Sequence, residues 1–246
     1  MLRRQRTILK LLTAAAPGIS PTQLQKFVFL MREETFLRQD AAFYDFLPYK
    51  YGPYSFAAQH EIEALTNCGY IELSGTSLSA TPLGTIEANR VHSDTVRATG
   101  VILSKYGGKP LKDLLKDVYA RYPWYAVKSE LAELAPPDTP KPQTAPVAVY
   151  TIGYEDSSVD GFLNTLVRAG ILRIIDVRAN PVSRKYGFAG RVLAILAAKL
   201  GLAYVHCPEL GISSERRRTV HTASEFRDLF CYYERHAKHP EHERRL

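Results

Sequence analysis

The sequence predicts a mixed α/β protein with two domains. An N-terminal, mostly α winged helix-turn-helix domain precedes a Rossmann-like, three-layer α/β domain with a small parallel sheet of about three strands. Three observations predict this class: helices followed by a short hairpin in the first half, short apolar strands alternating with helices in the second, and a proline-rich segment between them. A chain of 246 residues is also long enough for two hydrophobic cores.

Capping and periodicity predict the N-terminal elements. Ser20 followed by Pro21 is typical of a helix start, and Thr81 followed by Pro82 repeats the signal. Stretch 44–54 is rich in tyrosine and carries two prolines and a glycine, so we expect a loop there. The predicted helices are 3–15, one from 21, one from 56 that stops before 69, one from 82, and 111–121; the predicted hairpin strands are 70–73 and 78–80.

The proline-rich segment predicts the domain boundary. Residues 135–146 carry five prolines among polar residues, which prevents a helix and favours an extended, semi-rigid spacer. We therefore predict a winged-helix-like domain at 1–134, a linker at 135–146 and an α/β domain at 147–246.

The second half alternates between strands and helices. Residues 147–152 form a continuous apolar run, as in a strand buried on both faces. The following elements are a helix at 159–169, a strand at 172–177, a helix at 190–200, a strand at 203–206 and a helix at 224–236. This order predicts parallel strands with right-handed crossovers. The series stops on a helix, so we expect a sheet that lacks its next strand.

Composition excludes several classes of protein. With 46% apolar residues the chain is not disordered, and no apolar run approaches the roughly 20 residues that cross a bilayer, so we expect no membrane partner. The net charge of +7 is spread over both halves and is no nucleic-acid footprint by itself. Cys68, Cys207 and Cys231 show no metal or redox spacing, which predicts a reduced, cytoplasmic protein.

Polar side chains follow the predicted strands. Ligands of open parallel sheets bind beyond the carboxyl ends of the strands. Arginines there would bind a phosphate or a carboxylate through paired hydrogen bonds, and a carboxyl group would act as a general acid or base. We predict catalytic roles for Asp176 and Glu209. The predicted anion-binding residues are Gly153, Tyr154, Arg178, Ser183 and Arg184.

The same residues have structural interpretations, which stay open. Asp176 would form a structural salt bridge with Arg178 or Arg184 equally well, and Glu209 precedes a Leu-Gly pair as a turn residue would. Cys207 ends a predicted strand, where a small core side chain is common.

Other motifs carry less information. The sequence has no G-x-G-x-x-G, P-loop, G-x-S-x-G or H-E-x-x-H, so we expect no cofactor. Three histidines between residues 236 and 242 are spaced three apart, but Pro240 breaks the helix that would align them, and we expect no metal site. A basic run predicts a nucleic-acid contact, although such runs are usually solvated loops. It comprises Arg216, Arg217 and Arg218.

The N-terminal domain leaves two classes of partner open. In a winged helix, the helix before the hairpin enters the DNA major groove and needs cationic or amide side chains. Here that helix carries Glu61 and Glu63 and no Lys or Arg, and the hairpin tip is uncharged. A protein partner or a homodimer is therefore favoured slightly over DNA.

Three stretches of the second half resemble the uncharacterised family called domain of unknown function 488. They are YTIGY at 150–154, IDVRANP with SR at 175–184, and YVHCPELG at 204–211, in the order and spacing of that family. The resemblance covers roughly residues 147–236 and implies a Rossmann-like domain with a candidate site at Asp176, Arg178, Arg184 and Glu209.

This sequence departs from the family at its end. Family members continue into a further strand with a Cys-x-Glu segment and a Cys-His-Arg motif, and nothing after the YVHCPELG stretch matches either of them here. The resemblance therefore implies only part of the site. A truncated chain, an interrupted gene and a naturally shortened, non-catalytic member are the alternatives.

The first half loosely resembles winged-helix domains of phage-associated and antitoxin-type proteins. The motif YGPYS at 51–55, the helix after it and GYI at 69–71 carry that resemblance, which implies a regulatory or partner-neutralising role. Two hypotheses follow. The first is a nucleic-acid- or nucleotide-directed protein of a bacterial defence or phage-conflict setting, with an anion site at the strand ends. The second is a non-enzymatic, antitoxin-like regulator that binds a protein.

Overall fold

The computed structural model describes residues 1–213 and 222–237, with side chains up to residue 234. These residues form nine α-helices and three two-stranded sheets. The helices are α1 (Arg3–Ala14), α2 (Pro21–Glu34), α3 (Phe56–Asn67), α4 (Pro82–Ala88), α5 (Ser93–Tyr106), α6 (Leu111–Arg121), α7 (Val159–Arg168), α8 (Gly190–Lys199) and α9 (Ala223–Ala237). The strands are β1 (Leu47–Tyr49), β2 (Gly52–Tyr54), β3 (Ile71–Ser74), β4 (Ser77–Ala80), β5 (Arg173–Asp176) and β6 (Ala203–His206).

The chain is therefore a mixed α/β protein, and it divides into two compact units, Met1–Gly170 and Ile171–Leu246. This division falls after α7, whereas the proline-rich segment at 135–146 precedes that helix. The sequence-based domain limits remain a prediction. No described helix is long and apolar enough to cross a membrane. The three cysteines form no disulfide.

Helix α2 is the centre of the first unit. Eight consecutive residues from Leu24 to Met31 are buried, so neighbouring elements cover the helix on every side. Its start is capped as predicted: the Ser20 hydroxyl accepts a hydrogen bond from the Gln23 amide at 3.2 Å, and the Gln23 side chain accepts one from the Ser20 amide at 3.1 Å. The Phe29 ring meets three other rings edge-on. These are Phe46, Tyr122 and Tyr125, with centroids 5.2, 5.0 and 4.7 Å away.

The predicted helix, hairpin and following helix are confirmed as elements. The Ser55 hydroxyl caps α3 by accepting from the Ala58 amide at 3.1 Å. Strands β3 and β4 pair antiparallel, with Ile71 opposite Ala80. Thr81 caps α4 in the same way that Ser55 caps α3, as its hydroxyl accepts from the Gly84 amide at 3.1 Å.

The tyrosine-rich stretch is a hairpin, and the predicted loop at 44–54 is wrong in this respect. Strands β1 and β2 pair antiparallel, and Pro48 lies directly opposite Pro53. Positions in an antiparallel pair alternate between hydrogen-bonded and non-hydrogen-bonded. Two facing prolines occupy a non-hydrogen-bonded position, where the missing N–H groups cost no ladder bond.

Helix α5 is an element that the sequence analysis did not identify. Ala98, Ile102 and Tyr106 are buried at helical spacing, and this periodicity was the available signal. The His92 ring caps the helix by accepting from the Asp94 amide at 3.3 Å, in a position more often taken by Ser, Thr, Asp or Asn.

The second unit contains a small parallel sheet. Strands β5 and β6 pair in parallel, with Arg173 opposite Ala203 and Asp176 opposite His206. Helix α8 connects them and buries Leu193, among other apolar residues, on its inner face. The predicted strands at 172–177 and 203–206, and the predicted helices at 159–169, 190–200 and 224–236, are confirmed.

The predicted strand at 147–152 is wrong. These residues have no regular secondary structure, and Val149 is 91% exposed. An apolar run favours a buried strand only where neighbouring strands supply hydrogen bonds to its backbone. No described strand pairs with this segment, so the parallel sheet has two described strands where the sequence predicts about three.

Helix α7 contributes an unexpected cap to α3. One carboxylate oxygen of Asp160 accepts from the Phe56 amide at 2.7 Å, and the other accepts from the Ala57 amide at 3.0 Å and from the Ser55 hydroxyl at 2.9 Å. Asp160 is fully buried. Burial raises the pKa of Asp160 to about 7, against the three hydrogen bonds, which favour the carboxylate. The start of α3 is therefore occupied by an acidic side chain of the same unit.

Candidate functional site

The carboxyl ends of β5 and β6 form one edge of the parallel sheet. Because the strands are parallel and in register, Asp176 and His206 end them side by side. This edge lies entirely within the second unit. Ligands of open α/β sheets bind at this edge, so it is the expected position of the predicted site residues.

Asp176 lies at the centre of a hydrogen-bond network. Its carboxylate accepts bonds from Arg178 Nε at 2.8 Å, Arg178 Nη2 at 2.5 Å, the Arg178 amide at 3.1 Å and the Tyr204 hydroxyl at 2.7 Å. The residue is only 7% exposed. Burial alone would raise the pKa of Asp176, but the bonds from Arg178 and Tyr204 outweigh it and lower the pKa to about 2. Asp176 is therefore ionised at neutral pH and has no proton to donate.

Arg178 is held from several directions. Besides its bidentate contact with Asp176, its Nη1 donates to the Phe188 carbonyl at 2.8 Å. The Arg178 carbonyl lies 2.8 Å from His206 Nε2. Burial, then the hydrogen bond to Asp176, raises the pKa of Tyr204 to about 12, so Tyr204 remains a hydrogen-bond donor. The network fixes the start of the loop after β5. This geometry agrees with the interpretation of Asp176 and Arg178 as a structural salt bridge.

At Gly211 the chain that follows β6 passes close to the backbone of the loop after β5. A Cβ atom on Gly211 would lie 2.3 Å from the Val177 carbonyl oxygen and 2.4 Å from the Ala179 nitrogen. Only glycine fits there without a backbone shift. The short turn Pro208–Leu210, which carries the half-buried Glu209, is thereby placed next to the loop after β5.

The loop between β5 and α8 also carries exposed cationic side chains. Arg184 and Lys185 are exposed, and the Ser183 hydroxyl accepts a hydrogen bond from the Lys185 amide at 3.1 Å. Among the described residues, no carboxylate forms an ion pair with Arg184. The loop leads directly into α8, whose first turn contains no acidic residue and whose N-cap, Ala189, makes no capping hydrogen bond.

The structure brings some of the predicted residues together and separates others. Asp176 and Arg178 are in direct contact, and Ser183 and Arg184 lie further along the same loop. Gly153 and Tyr154 belong to the first compact unit, in a segment without regular structure. The predicted nucleic-acid contacts lie outside the described residues. These are Arg216, Arg217 and Arg218.

Tyr204 and the Phe188 carbonyl are parts of the network that sequence reasoning missed. Tyr204 lies two residues before the end of β6, opposite Ile174. Strand residues two apart point to the same face, so Ile174 and Asp176 share the buried face of β5. Tyr204 is the residue opposite Ile174 on the neighbouring strand, and this alternation was the available signal for its contact with Asp176. No sequence signal indicated the Phe188 carbonyl, because it is a backbone atom ten residues after Arg178 along the loop.

Comparison with known proteins covers the C-terminal part of the chain. Residues 158–246 match the family described as Domain of unknown function DUF488, which confirms the resemblance of this part. The match includes α7, the Asp176 network and Arg184, whereas Gly153 and Tyr154 precede it. No curated protein matches the chain.

Proposed function

We propose that the second unit binds an anionic ligand of the nucleotide or nucleic-acid class at the loop after β5. Arg184 would contact a phosphate of the ligand, and the Asp176–Arg178 pair would hold the loop in place. The exposed Arg184, without an ion-pair partner in the described part of the chain, carries this proposal. An arginine in that state retains all five of its donors for a phosphate.

Two further features support an anion at this place. The second unit contains a β-α-β succession with two parallel strands, and open parallel sheets bind ligands beyond the carboxyl ends of their strands. Helix α8 begins at the end of the same loop, and a helix N-terminus attracts negative charge. The proposal assigns Arg178 a positioning role, because Asp176 and the Phe188 carbonyl already engage its donors.

Changing Arg184 to Gln is expected to weaken binding of a single-stranded oligonucleotide by about three- to tenfold. Loss of one phosphate contact should also lower the slope of log affinity against log salt by about one unit. The measurement is a fluorescence-anisotropy titration of the full chain at two salt concentrations, repeated in competition with a mononucleotide. Arg173→Gln is the matched control, because Arg173 is exposed at the opposite end of β5. Equal weakening by both variants, or by neither, would contradict the assignment.

A second candidate function is a protein-binding regulator, in line with a winged-helix-like first unit. It is favoured by the state of α3, the helix that would enter a DNA groove. Asp160 occupies the start of α3, and the Glu61 carboxylate is 8% exposed and bonded to Arg4 and Tyr44. Carboxylates at these places oppose a phosphate backbone. Glu61 is therefore an internal residue of the unit, and Glu63 is the exposed acid of α3.

Purification from the native host tests this second candidate. We expect a stable protein partner to accompany the full chain and to be lost from Glu63→Lys, because Glu63 lies on the exposed face of α3. Asp94→Lys, which changes a half-buried acid in the first turn of α5, should retain the partner. Recovery of the chain alone, or loss of the partner from both variants, would count against a docking surface on α3.

A further inference from the structure

A second concave site lies in the first unit, between the start of α2, the β1–β2 hairpin and α3. It is a cavity of about 240 Å³. Its lining contains two lysines, three tyrosines and two glutamines, and no acidic residue. The lining residues are Pro21, Thr22, Gln25, Lys26, Tyr49, Lys50, Tyr51, Tyr54 and Gln59. The site is separate from the strand-end loop, and nothing in the proposed function uses it.

Lys26 is the unusual member of this lining. It is 1% exposed, and its ammonium group donates to the Pro53 carbonyl at 2.8 Å. Among the described residues, no carboxylate oxygen lies within 4 Å of Lys26 Nζ to form an ion pair. Burying a cation without a counter-charge is costly, and an ammonium group has three donors, of which one is engaged here. Burial accordingly lowers the pKa of Lys26 to about 7.

The walls of the cavity are aromatic and fixed. The rings of Tyr49 and Tyr54 lie 5.1 Å apart, and Tyr54 lies 5.2 Å from Phe56. Gln25 is held to the Ser55 backbone by two hydrogen bonds, of 3.1 Å and 3.3 Å. A flat apolar ring would therefore meet preformed surfaces, which lowers the entropic cost of binding.

The charge of the cavity comes from Lys26. Lys50 is exposed at its mouth and forms an ion pair with Glu130 at 2.8 Å. The hydrogen bond to Glu130 raises the pKa of Lys50, so Lys50 is cationic and already neutralised. One cation without a carboxylate partner, beside aromatic walls, matches a monoanion with a flat ring.

We propose that this cavity binds a small aromatic carboxylate, whose carboxylate group pairs with Lys26 and whose ring lies against Tyr49 and Tyr54. The carboxylate would supply the counter-charge that the protein does not provide, and Lys26 has already lost its hydration in the folded chain, so only the ligand pays a new desolvation cost. The volume is below the range typical of drug-sized ligands, which limits the ligand to about one ring.

Calorimetric titration of the full chain with benzoate tests the proposal. We expect Lys26→Met to weaken benzoate binding at least about tenfold and Lys50→Met to change it less than about twofold. Benzamide, which has the same shape without the charge, should bind the unchanged chain at least about tenfold more weakly than benzoate. Lys26→Met should remain folded, because replacing a buried charge by a side chain of similar volume is tolerated.

Proton uptake gives a second readout that does not depend on a variant. At pH 8 the Lys26 amine is mostly neutral, so pairing with benzoate should take up about one proton, measured from the dependence of the binding enthalpy on the buffer. The other titratable side chains of the lining are Lys50 and the three tyrosines. Absence of benzoate binding, equal binding by Lys26→Met, or binding without proton uptake would each overturn the proposal.

Discussion

Changing Asp176 to Ala is expected to lower the free energy of unfolding of the second unit by about 4 kcal/mol at pH 7. The variant leaves the half-buried Arg178 guanidinium without its counter-charge and the Tyr204 hydroxyl without its acceptor. Removing one partner of a buried pair typically costs about 3–5 kcal/mol. Hydrogen exchange at the amides of β5 and β6 measures this loss directly in the second unit.

The effect of Asp176→Ala should depend on pH. The pKa of Asp176 is lowered to about 2 in the folded state, below the ordinary value of about 4, so the stabilisation is present above about pH 4 and is lost as the pH falls through 2. Asp228→Ala is the control, since Asp228 is exposed on α9. A loss below about 1 kcal/mol at pH 7, or the same loss in the control, would show that the network does not hold the loop.

Changing Asp160 to Ala is expected to destabilise the first unit by about 3 kcal/mol at pH 5. The variant leaves the amides of Phe56 and Ala57 and the Ser55 hydroxyl without their acceptor. A lost cap costs about 1–2 kcal/mol, and each buried donor left without a partner adds about 1–3 kcal/mol before relaxation. Urea unfolding followed by the fluorescence of Trp124 measures this loss of stability. The Trp124 indole donates to Asn164 of α7 at 2.9 Å, so its environment changes when α7 separates from the rest of the first unit.

The pH dependence of Asp160→Ala has the opposite sign to that of Asp176→Ala. The pKa of Asp160 is raised to about 7 in the folded state, so its stabilisation is full below about pH 4 and declines as the pH rises through 7. The difference between the unchanged chain and Asp160→Ala should therefore shrink from pH 5 to pH 8. Asp156→Ala, a change of an exposed acid near the start of α7, should have little effect at either pH. A difference that grows with pH would contradict this account.

Most elements of the fold could be predicted from the sequence because their signals are local. Ser20 and Thr81 each precede a proline at a helix start, and both act as caps in the structure. The strands at 173–176 and 203–206 lie within the predicted ranges 172–177 and 203–206. The run at 147–152 is more apolar than either strand but has no pairing partner among the described strands, so apolar composition alone does not identify a strand.

The candidate site was harder to predict because its contacts are not local. The sequence places Asp176 and Arg178 at the end of a strand, but whether they pair or face a ligand depends on Tyr204 and on the Phe188 carbonyl. Asp160 is a stronger example, since the amide that it caps belongs to Phe56, more than a hundred residues earlier in the chain. Neither a motif nor a periodicity links residues so far apart.

An NMR titration of the isotope-labelled chain with a mononucleotide tests the central claim most directly. We predict that the backbone amides of 183–185 and of the first turn of α8 shift with increasing ligand, and that these shifts are lost in Arg184→Gln. Shifts confined to other parts of the chain, or a spectrum unchanged at millimolar ligand, would contradict an anion site at the loop after β5.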